Sequence, residues 1–328
     1  MKALFYTGTQ QTEIRDTDAA IAADGEVIVD LSYCGLCGSD MHAWHGHDER
    51  RIPPLILGHE AVGIARDGAF AGKAVAINPL MACGDCSFCH SGREHLCPDR
   101  EMIGMRRPGG FAEEVAVRQA NLSLLPDNLS LADAALAEPL ACAVHAVSLA
   151  LSHPQKDKHH DVVVLGGGAI GLMAALVFRH HGFTSLKIAE TNQGRRDILQ
   201  ALGGMSAYDP ITEPAPASSA DIVLDAVGSQ QTRKAACEIV RPGGNIIHIG
   251  LQDNFDGVDS RRLTLQEITF QGTYCYQNDD FAEAINLLAT GAVSSQGWTQ
   301  IRPLDEGGQS FWDVHNGTAP PKIILQCR

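Results

Sequence analysis

The sequence predicts an α/β protein of two domains, one a doubly wound parallel sheet and the other rich in β-strands. Its 328 residues exceed what one hydrophobic core usually serves. Up to about residue 130, short apolar runs alternate with turns, which is typical of β-structure. From about residue 146, short apolar strands alternate with longer helical stretches, a pattern that indicates a parallel sheet covered by helices on both faces.

Apolar runs locate the individual strands, and stretches with helical periodicity lie between them. In the β-rich part we expect strands that include Glu26–Leu31, Lys73–Ile77 and Phe111–Val117. The parallel sheet is predicted to contain strands Val162–Leu165, Leu186–Glu190, Ile222–Asp225, Asn245–Gly250 and Ile268–Gly272, with helices Ile170–His181, Arg195–Leu202 and Thr232–Val240.

The segment after Thr273 does not continue this alternation. A helix near Phe281–Thr290 and a strand at Lys322–Leu325 are predicted there, so we expect the tail to return to the first domain. The predicted domains are therefore residues 1–145 together with 274–328, and residues 146–273.

The charge of the chain excludes two classes of partner. Its 25 Lys and Arg residues against 39 Asp and Glu residues give a net charge of −14, which repels nucleic acids and anionic lipids. The arginine pairs are isolated and form no basic cluster. The start MKALFYTGTQ lacks the pattern of a secretory signal, and no apolar run reaches 18 residues. We therefore expect a cytoplasmic protein without nucleic-acid or membrane partners.

A glycine-rich turn predicts a dinucleotide site. The G-x-G-x-x-G pattern of Gly166, Gly168 and Gly171 follows the apolar strand DVVVL and precedes the helical run LMAALVF. Gly166 permits the tight turn, Gly168 lets a pyrophosphate approach the backbone, and Gly171 allows the helix to pack closely on the strand. Ala169 and Ile170 lie at the start of the following helix, whose N-terminus therefore faces the phosphates. This context predicts a Rossmann domain.

The choice of dinucleotide depends on Glu190. An acidic residue about 20 positions after the glycines, at the end of the second strand, binds the hydroxyls of the adenosine ribose. Glu190 occupies that place in LKIAE. A 2′-phosphate would meet its carboxylate, so NAD is favoured over NADP, although Arg195 or Arg196 could reduce that repulsion.

Four cysteines predict a structural zinc site in a loop at about residues 83–97. Their spacing is C-x2-C-x2-C-x7-C, and the residues are Cys83, Cys86, Cys89 and Cys97. Four thiolates complete a tetrahedral shell around zinc and leave no position for a substrate, so such a site stabilises its own loop.

A second set of metal-binding side chains is spread along the first domain. Cys37, His59, Glu60 and Glu138 offer one thiolate, one imidazole and carboxylates. Such a mixed set can leave a coordination position open, as catalytic zinc sites do. Cys142, four residues after Glu138 and on the same face if that segment is helical, is an alternative ligand, and we favour Glu138.

These motifs resemble the zinc-containing medium-chain dehydrogenases, in the branch of the sorbitol, L-threonine and related polyol dehydrogenases. The resemblance covers nearly the whole chain and rests on the four-cysteine loop and on CGLCGSDMH, LGHEAVG, AEPLACAVHA, GGGAIG, LDAVGS, RPGGNIIHIG and EITFQGTYCY. It implies a GroES-like catalytic domain built from both ends of the chain, a Rossmann domain between them, and two zinc ions per chain. It also implies a homodimer or homotetramer, paired through an edge strand near Asn245–Gly250 or Ile268–Gly272.

The resemblance also implies roles for individual residues. Glu138 opens E-P-L and takes the place that a cysteine ligand holds in other alcohol dehydrogenases. Glu60 lies beside the metal and enters its shell in some states. Ser39 matches the residue that accepts the alcohol proton, and His42 matches a histidine that passes it through the cofactor ribose towards solvent. A turn serine and a surface histidine are the alternative readings of Ser39 and His42.

The sequence therefore predicts a zinc-dependent oxidoreductase that transfers a hydride between a secondary alcohol and NAD. The expected substrates are polyols, sugar alcohols and sugar acids. An L-threonine-type amino-alcohol dehydrogenase and a non-catalytic NAD-binding sensor are the alternatives. The segment from Trp44 to Pro54, where substrate contacts often fall in the family, matches no one member, so the substrate stays open.

Overall fold

The computed structural model of the protein describes residues 1–152, 159–253 and 255–328. The described chain divides into two compact units, one formed by Met1–Ala141 with Gln277–Arg328 and the other by Cys142–Tyr276. The first boundary lies four residues before the predicted one. Both positions fall inside one continuous helix, Ala137–Leu151, so no turn or change of composition marks the border in the sequence.

Short strands make up most of the N-terminal part of the first unit. They are β1 (Lys2–Gly8), β2 (Gln11–Asp16), β3 (Glu26–Gly35), β4 (Leu55–Ile56), β5 (Glu60–Ala65), β6 (Ala74–Ile77), β7 (Leu80–Met81), β8 (Glu101–Met102), β9 (Glu114–Arg118) and β10 (Leu122–Leu124). The helices are α1 (Gly38–Trp44), α2 (Ser87–His90), α3 (Leu131–Ala134) and α4 (Ala137–Leu151), and α4 continues into the second unit.

Strands and helices alternate in the second unit. Its strands are β11 (Val162–Leu165), β12 (Leu186–Ala189), β13 (Ser206–Tyr208), β14 (Ala220–Asp225), β15 (Val240–His248) and β16 (Thr269–Gly272). The helices between them are α5 (Ala169–His180), α6 (Gln193–Leu202), α7 (Gln230–Ile239) and α8 (Ser260–Leu265). The tail then adds α9 (Asn278–Ala289), β17 (Thr299–Pro303), α10 (Gly307–His315) and β18 (Lys322–Gln326).

The main sheet of the first unit is built from both ends of the chain. Its strands follow the order β10-β6-β5-β3-β18-β17, and β9 also pairs with β3. β18 runs antiparallel to β3, with Ile324 opposite Gly35, and β3 pairs with β5, with Gly35 opposite Glu60. The prediction that the tail returns to the first domain is confirmed. This pairing also brings Lys322, at the start of β18, close to the end of β3.

The second unit is a parallel six-stranded sheet in the order β13-β12-β11-β14-β15-β16. The predicted doubly wound sheet is confirmed. β13 was not predicted, because its three residues are exposed or half-buried and form no apolar run. Val240 was predicted to end a helix but begins β15.

Each unit has its own apolar core. Aromatic side chains from both ends of the chain meet in the first unit, where Trp44 of α1 stacks on Phe311 of α10 with ring centroids 5.9 Å apart. The core of the second unit contains branched aliphatic side chains from the sheet, among them Val163, Val223 and Ile246. Within the described residues, no helix combines the length and the apolar character needed to cross a bilayer.

Candidate functional site

The four cysteines of the predicted zinc loop lie together. The sulfur atoms of Cys83, Cys86, Cys89 and Cys97 are all within 4.8 Å of one another. Cys89 Sγ is 3.5 Å from Cys86 Sγ and 3.9 Å from Cys83 Sγ. A tetrahedral zinc with bonds of about 2.3 Å holds its sulfur ligands about 3.8 Å apart, so this geometry fits zinc. Hydrogen bonds from the N–H groups of Asp85 and Cys86 lower the pKa of Cys83, whereas removal from solvent and a hydrogen bond to Cys86 raise the pKa of Cys89.

A second group brings together three side chains from two segments of the first unit, one with Cys37 and one with His59 and Glu60. Cys37 Sγ, a ring nitrogen of His59 and a carboxylate oxygen of Glu60 lie within 4.8 Å of one another. Cys37 is the N-cap of α1, and its sulfur accepts a hydrogen bond from the N–H of Ser39. His59 and Glu60 lie where the chain enters β5, and both side chains are buried.

Asp40 connects the two segments that carry these side chains. It is fully buried, and its carboxylate accepts hydrogen bonds from the N–H of Cys37 at 3.0 Å and of Gly58 at 3.3 Å. Its Oδ1 atom lies 3.5 Å from His59 Nδ1. Burial acts against charge on both side chains, but their mutual attraction prevails and lowers the pKa of Asp40 while raising that of His59. Because Nδ1 faces this carboxylate, His59 Nε2 is the nitrogen available to a metal.

Lys322 contacts Glu60 from β18, and sequence reasoning missed it. Its ammonium group pairs with Glu60 Oε2 and donates a hydrogen bond to the carbonyl of Leu36 at 3.0 Å. Burial acts to lower the pKa of Lys322, but Glu60 and Cys37 outweigh that effect and raise it. A Cβ atom on Gly35 would lie 1.9 Å from Glu60 Oε2, so this glycine makes room for the pair. In the sequence, Lys322 is a lysine at the start of an apolar strand, and this position does not predict an ion pair with Glu60.

The buried donors of this group fit zinc. Glu60 Oε1 is buried and makes no hydrogen bond within the described part of the chain. A thiolate, an imidazole and a carboxylate are the donor types that zinc binds. Glu138 is buried in the first turn of α4, outside the 4.8 Å group, and its charge contributes to the raised pKa of Lys322. Glu138 remains a predicted ligand, and Cys142, one helical turn later, remains the alternative.

The two predicted relay residues lie on the same short helix, α1. Ser39 is half-buried and follows Cys37 by two positions, and His42 lies in the last turn. Burial lowers the pKa of His42, and the neighbouring His47 adds to this effect. His42 therefore tends to be neutral, as a residue that accepts a proton must be. Ser39 also touches Arg51, a contact that sequence reasoning missed.

The glycine-rich turn has the geometry that its sequence predicts. Gly166 has a φ of 98°, which is in the left-handed region. A Cβ atom on Gly171 would lie 1.9 Å from the carbonyl oxygen of Gly166, so only glycine fits there. Gly168 is the N-cap of α5, and beyond its own helix and chain neighbours the nearest described atom to a Cβ on it would be Arg195 Nη1, at 4.0 Å. The space above Gly168 is therefore open to a ligand at the helix N-terminus, next to Ala169 and Ile170.

Glu190 binds the glycine-rich turn through its side chain. Its Oε2 atom accepts a hydrogen bond from the N–H of Gly167 at 2.9 Å, and its Oε1 atom accepts one from the N–H of Asn192 at 2.8 Å. Arg195 Nη1 lies 4.0 Å from Glu190 Oε2. Arg196 points elsewhere, to the carbonyl of Glu190 at 2.7 Å and to Asp209 at 3.6 Å. The carboxylate is thus fixed beside the predicted phosphate site.

Comparison with protein families assigns both units. Residues 23–127 match the family model of the alcohol dehydrogenase GroES-like domain, and residues 169–290 match that of the zinc-binding dehydrogenases. Both matches agree with the fold, the catalytic-domain type and the dinucleotide domain that the sequence predicted.

Individual proteins are similar over nearly the whole chain. A 2-dehydro-3-deoxy-L-galactonate 5-dehydrogenase of Pseudoalteromonas atlantica is 29% identical, over 100% of this chain and 99% of that protein. An L-galactonate-5-dehydrogenase of Escherichia coli is 31% identical, over 90% of this chain and 89% of that protein. Among solved structures, galactitol-1-phosphate dehydrogenase from Escherichia coli superposes with a TM-score of 0.90 at 25% identity, covering 99% of this chain and 100% of that chain.

Substitution of two glycines should separate folding from dinucleotide binding. Gly171→Ala places a methyl group against the Gly166 carbonyl and should lower the free energy of unfolding by about 1–3 kcal/mol, the usual effect of overpacking. Gly168→Ala should leave the unfolding midpoint unchanged but weaken NADH binding at least tenfold, measured by fluorescence, because the methyl group occupies the space of the pyrophosphate. Equal NADH affinity in Gly168→Ala and the wild type would contradict this assignment.

Removal of the Lys322 ammonium group should destabilise the protein. Lys322→Met leaves the buried Glu60 carboxylate without its cation and should lower the free energy of unfolding by about 3 kcal/mol. Guanidinium unfolding at a fixed zinc concentration measures this change. Lys2→Met is the matched control, because Lys2 pairs with Asp305 at the surface and such pairs contribute less than about 1 kcal/mol. An equal decrease in the free energy of unfolding in both variants would show that the buried Lys322–Glu60 pair stabilises the protein no more than a surface pair does.

Proposed function

The chain belongs to the zinc-containing medium-chain dehydrogenases, in the polyol dehydrogenase branch, and we propose that it oxidises a secondary alcohol of a sugar acid or polyol with NAD. It is an oxidoreductase of the alcohol dehydrogenase type that uses zinc and a nicotinamide cofactor. The observation that carries the proposal is the group of Cys37, His59 and Glu60, whose donor atoms lie within 4.8 Å of one another and in which His59 and Glu60 are buried.

We assign each metal site by its donors. The four thiols of residues 83–97 would hold a structural zinc, because a complete thiolate shell leaves no position for a substrate. Cys37, His59 and Glu138 would hold the catalytic zinc, with Glu60 as a further ligand in some states. A zinc ion held by these residues would supply Lewis-acid chemistry, which polarises a hydroxyl oxygen and eases loss of its proton.

The residues around the catalytic group keep it ordered and neutralise its charge. Asp40 fixes the ring of His59 and the backbone of Cys37, which holds both donors in one orientation. Lys322 offsets the negative charge of Glu60 and holds that carboxylate beside the thiol. Burial of Glu60 and His59 keeps bulk water away from them.

Proton removal is assigned to Ser39 and His42. Oxidation of the alcohol removes a hydride from its carbon, which a bound nicotinamide would accept, and a proton from its oxygen. Ser39 Oγ accepts that proton and gives up its own hydroxyl hydrogen. His42, which burial keeps neutral, accepts the proton released by Ser39 on the way to solvent.

Glu190 supports NAD as the preferred cofactor. Both of its oxygens are held by backbone N–H groups beside the glycine-rich turn, so the carboxylate cannot swing away from a 2′-phosphate without losing two hydrogen bonds. Arg195 is 4.0 Å from Glu190 and is therefore partly neutralised by it. A 2′-phosphate would meet a fixed negative charge.

The proposed substrate class follows from the relatives. Two of them act on aldonic acids or their derivatives, by name L-galactonate and 2-dehydro-3-deoxy-L-galactonate, and the solved structure belongs to a polyol phosphate dehydrogenase. These substrates share a secondary hydroxyl group on a polyhydroxylated chain. A sugar acid is accordingly the first substrate to test.

The assembly and the compartment are further parts of the proposal. β16 is an edge strand of the parallel sheet, whereas β15 lies inside it between β14 and β16. Of the two predicted pairing segments, only Ile268–Gly272 thus offers a free edge, and we propose that two copies pair there.

The clustered thiols support a reducing compartment, the cytoplasm.

A turnover assay tests the function. Zinc-loaded protein should produce NADH, followed by absorbance, from at least one member of a panel of sugar acids, polyols and L-threonine. Cys37→Ala should abolish turnover and reduce bound zinc from two ions per chain to one. Cys34→Ala is the matched control, because this buried thiol lies outside the metal group and its loss should leave zinc content at two. NADH binding with no turnover across the panel would instead favour a non-catalytic sensor.

A single substitution tests the cofactor preference. Glu190→Ala should reduce kcat/KM with NAD and raise it with NADP, so that their ratio changes at least tenfold, because the repulsion of the 2′-phosphate is removed. Glu238→Ala, which removes an exposed carboxylate on α7 of the same unit, should leave the ratio unchanged. A wild-type protein that already prefers NADP would overturn the assignment of Glu190.

A further inference from the structure

Arg51 is a buried arginine whose side chain points into the first unit. It is 2% exposed, while Arg50 beside it keeps half of its side chain in solvent. Arg51 Nε donates a hydrogen bond to the carbonyl of Gly104 at 2.9 Å. Its Nη1 atom donates to the carbonyl of Ser39 at 3.1 Å, and its Nη2 atom is 3.2 Å from Ser39 Oγ. The guanidinium group therefore holds both the backbone and the hydroxyl of Ser39.

The charge of Arg51 is balanced within the same segment. Asp48 Oδ2 lies 2.7 Å from Arg51 Nη1. Burial tends to raise the pKa of Asp48, but hydrogen bonds from Arg50 and the charge of Arg51 lower it to about 2. The carboxylate is thus ionised at neutral pH, so Arg51 is buried as half of an ion pair. A buried arginine with its charge compensated can use its remaining donors to position a neighbour.

We propose that Arg51 is a positioning residue that sets the direction in which Ser39 passes a proton. This inference rests on the proposed function, in which Ser39 accepts the alcohol proton. A serine hydroxyl has one hydrogen to donate and two lone pairs that accept. Arg51 only donates, so it occupies one lone pair of Ser39 Oγ, and the serine hydrogen has to point away from it.

The direction of transfer follows from this count. One lone pair of Ser39 Oγ is left for the hydroxyl of the alcohol, and the serine hydrogen is left for the next acceptor. As the alcohol oxygen gives its proton to Ser39 Oγ, the original serine hydrogen leaves to that acceptor, so Ser39 ends unchanged. The electron pair of the broken O–H bond becomes the second bond of the carbonyl as the hydride leaves for NAD. The positive charge of Arg51 also attracts a lone pair of Ser39 Oγ. It therefore disfavours orientations of the hydroxyl in which both lone pairs face the alcohol.

The same contacts could serve only to join two backbone segments, since Arg51 also binds Gly104. A double-mutant cycle separates the two roles. If Arg51 acts through Ser39, its removal has no further effect once the serine hydroxyl is gone. If it only supports the backbone, its removal lowers activity by the same factor with or without that hydroxyl.

The experiment compares Arg51→Met, Ser39→Ala and the double variant as zinc-loaded, full-length proteins. We expect Arg51→Met to lower kcat about tenfold with little change in KM, because a misdirected proton acceptor slows the chemical step but does not weaken substrate binding. In the Ser39→Ala background the same substitution should change kcat less than twofold. Arg51→Lys should recover only part of the loss, because an ammonium group cannot hold the carbonyl and the hydroxyl in one plane.

Arg50→Met is the matched control. Arg50 shares Asp48 with Arg51, through bonds of 2.8 and 3.0 Å, yet its side chain is half-exposed, and the bonds to Ser39 come from Arg51. The Arg50→Met substitution should leave kcat unchanged. An equal loss of kcat for Arg51→Met in both serine backgrounds would overturn the positioning role.

Failure of the proposed function gives a different result. If the wild type turns over none of the alcohols, the same cycle is measured on binding of 2,2,2-trifluoroethanol, whose fluorines oppose hydride loss, to the protein saturated with NAD. Calorimetry should show that Arg51→Met binds trifluoroethanol more weakly than the wild type does. The affinities of Ser39→Ala and the double variant for trifluoroethanol should be equal. Equal weakening in both backgrounds would overturn the inference on Arg51 whatever the substrate.

Discussion

The ion pair between Lys322 and Glu60 joins the three strands on which the candidate active site depends. Glu60 begins β5, Lys322 begins β18, and Gly35 of β3 lies between them with no space for a side chain. Both charges are buried, so each is stable only in the presence of the other. The position of a metal-binding carboxylate is therefore set by the tail of the first unit as well as by the segment that contains it.

The two metal sites differ in how their ligands are brought together. The four thiols come from fifteen consecutive residues, so a local turn and the metal itself suffice to order them. Cys37 and His59 come from separate segments, and Asp40 bridges these segments through hydrogen bonds to Cys37 and Gly58. The first arrangement suits a site that stabilises a loop. The second suits a site whose ligands have to stay in place while one coordination position changes.

Sequence reasoning succeeded where the chemistry is local. The glycine-rich turn lies directly between a strand and a helix, and the four cysteines lie in one loop, so their spacing alone predicts their geometry. Lys322 and Arg51 could not be found in this way. Lys322 meets Leu36 across 286 residues, and only strand pairing brings them together. Arg51 belongs to an Arg-Arg pair that looks like an exposed charge in the sequence. The place of Glu138 depends on the orientation of α4, which no spacing rule fixes.

The order in which the two units can fold follows from the discontinuous sheet of the first one. The second unit is one continuous segment, so all of its strands leave the ribosome before the tail is made. The first unit starts earlier along the chain but needs β18 to lie between β3 and β17. Domains tend to fold as they emerge during synthesis. Here the second unit can complete its fold before the first one, and the buried carboxylate of Glu60 meets its cation, Lys322, only after the whole second unit has been translated.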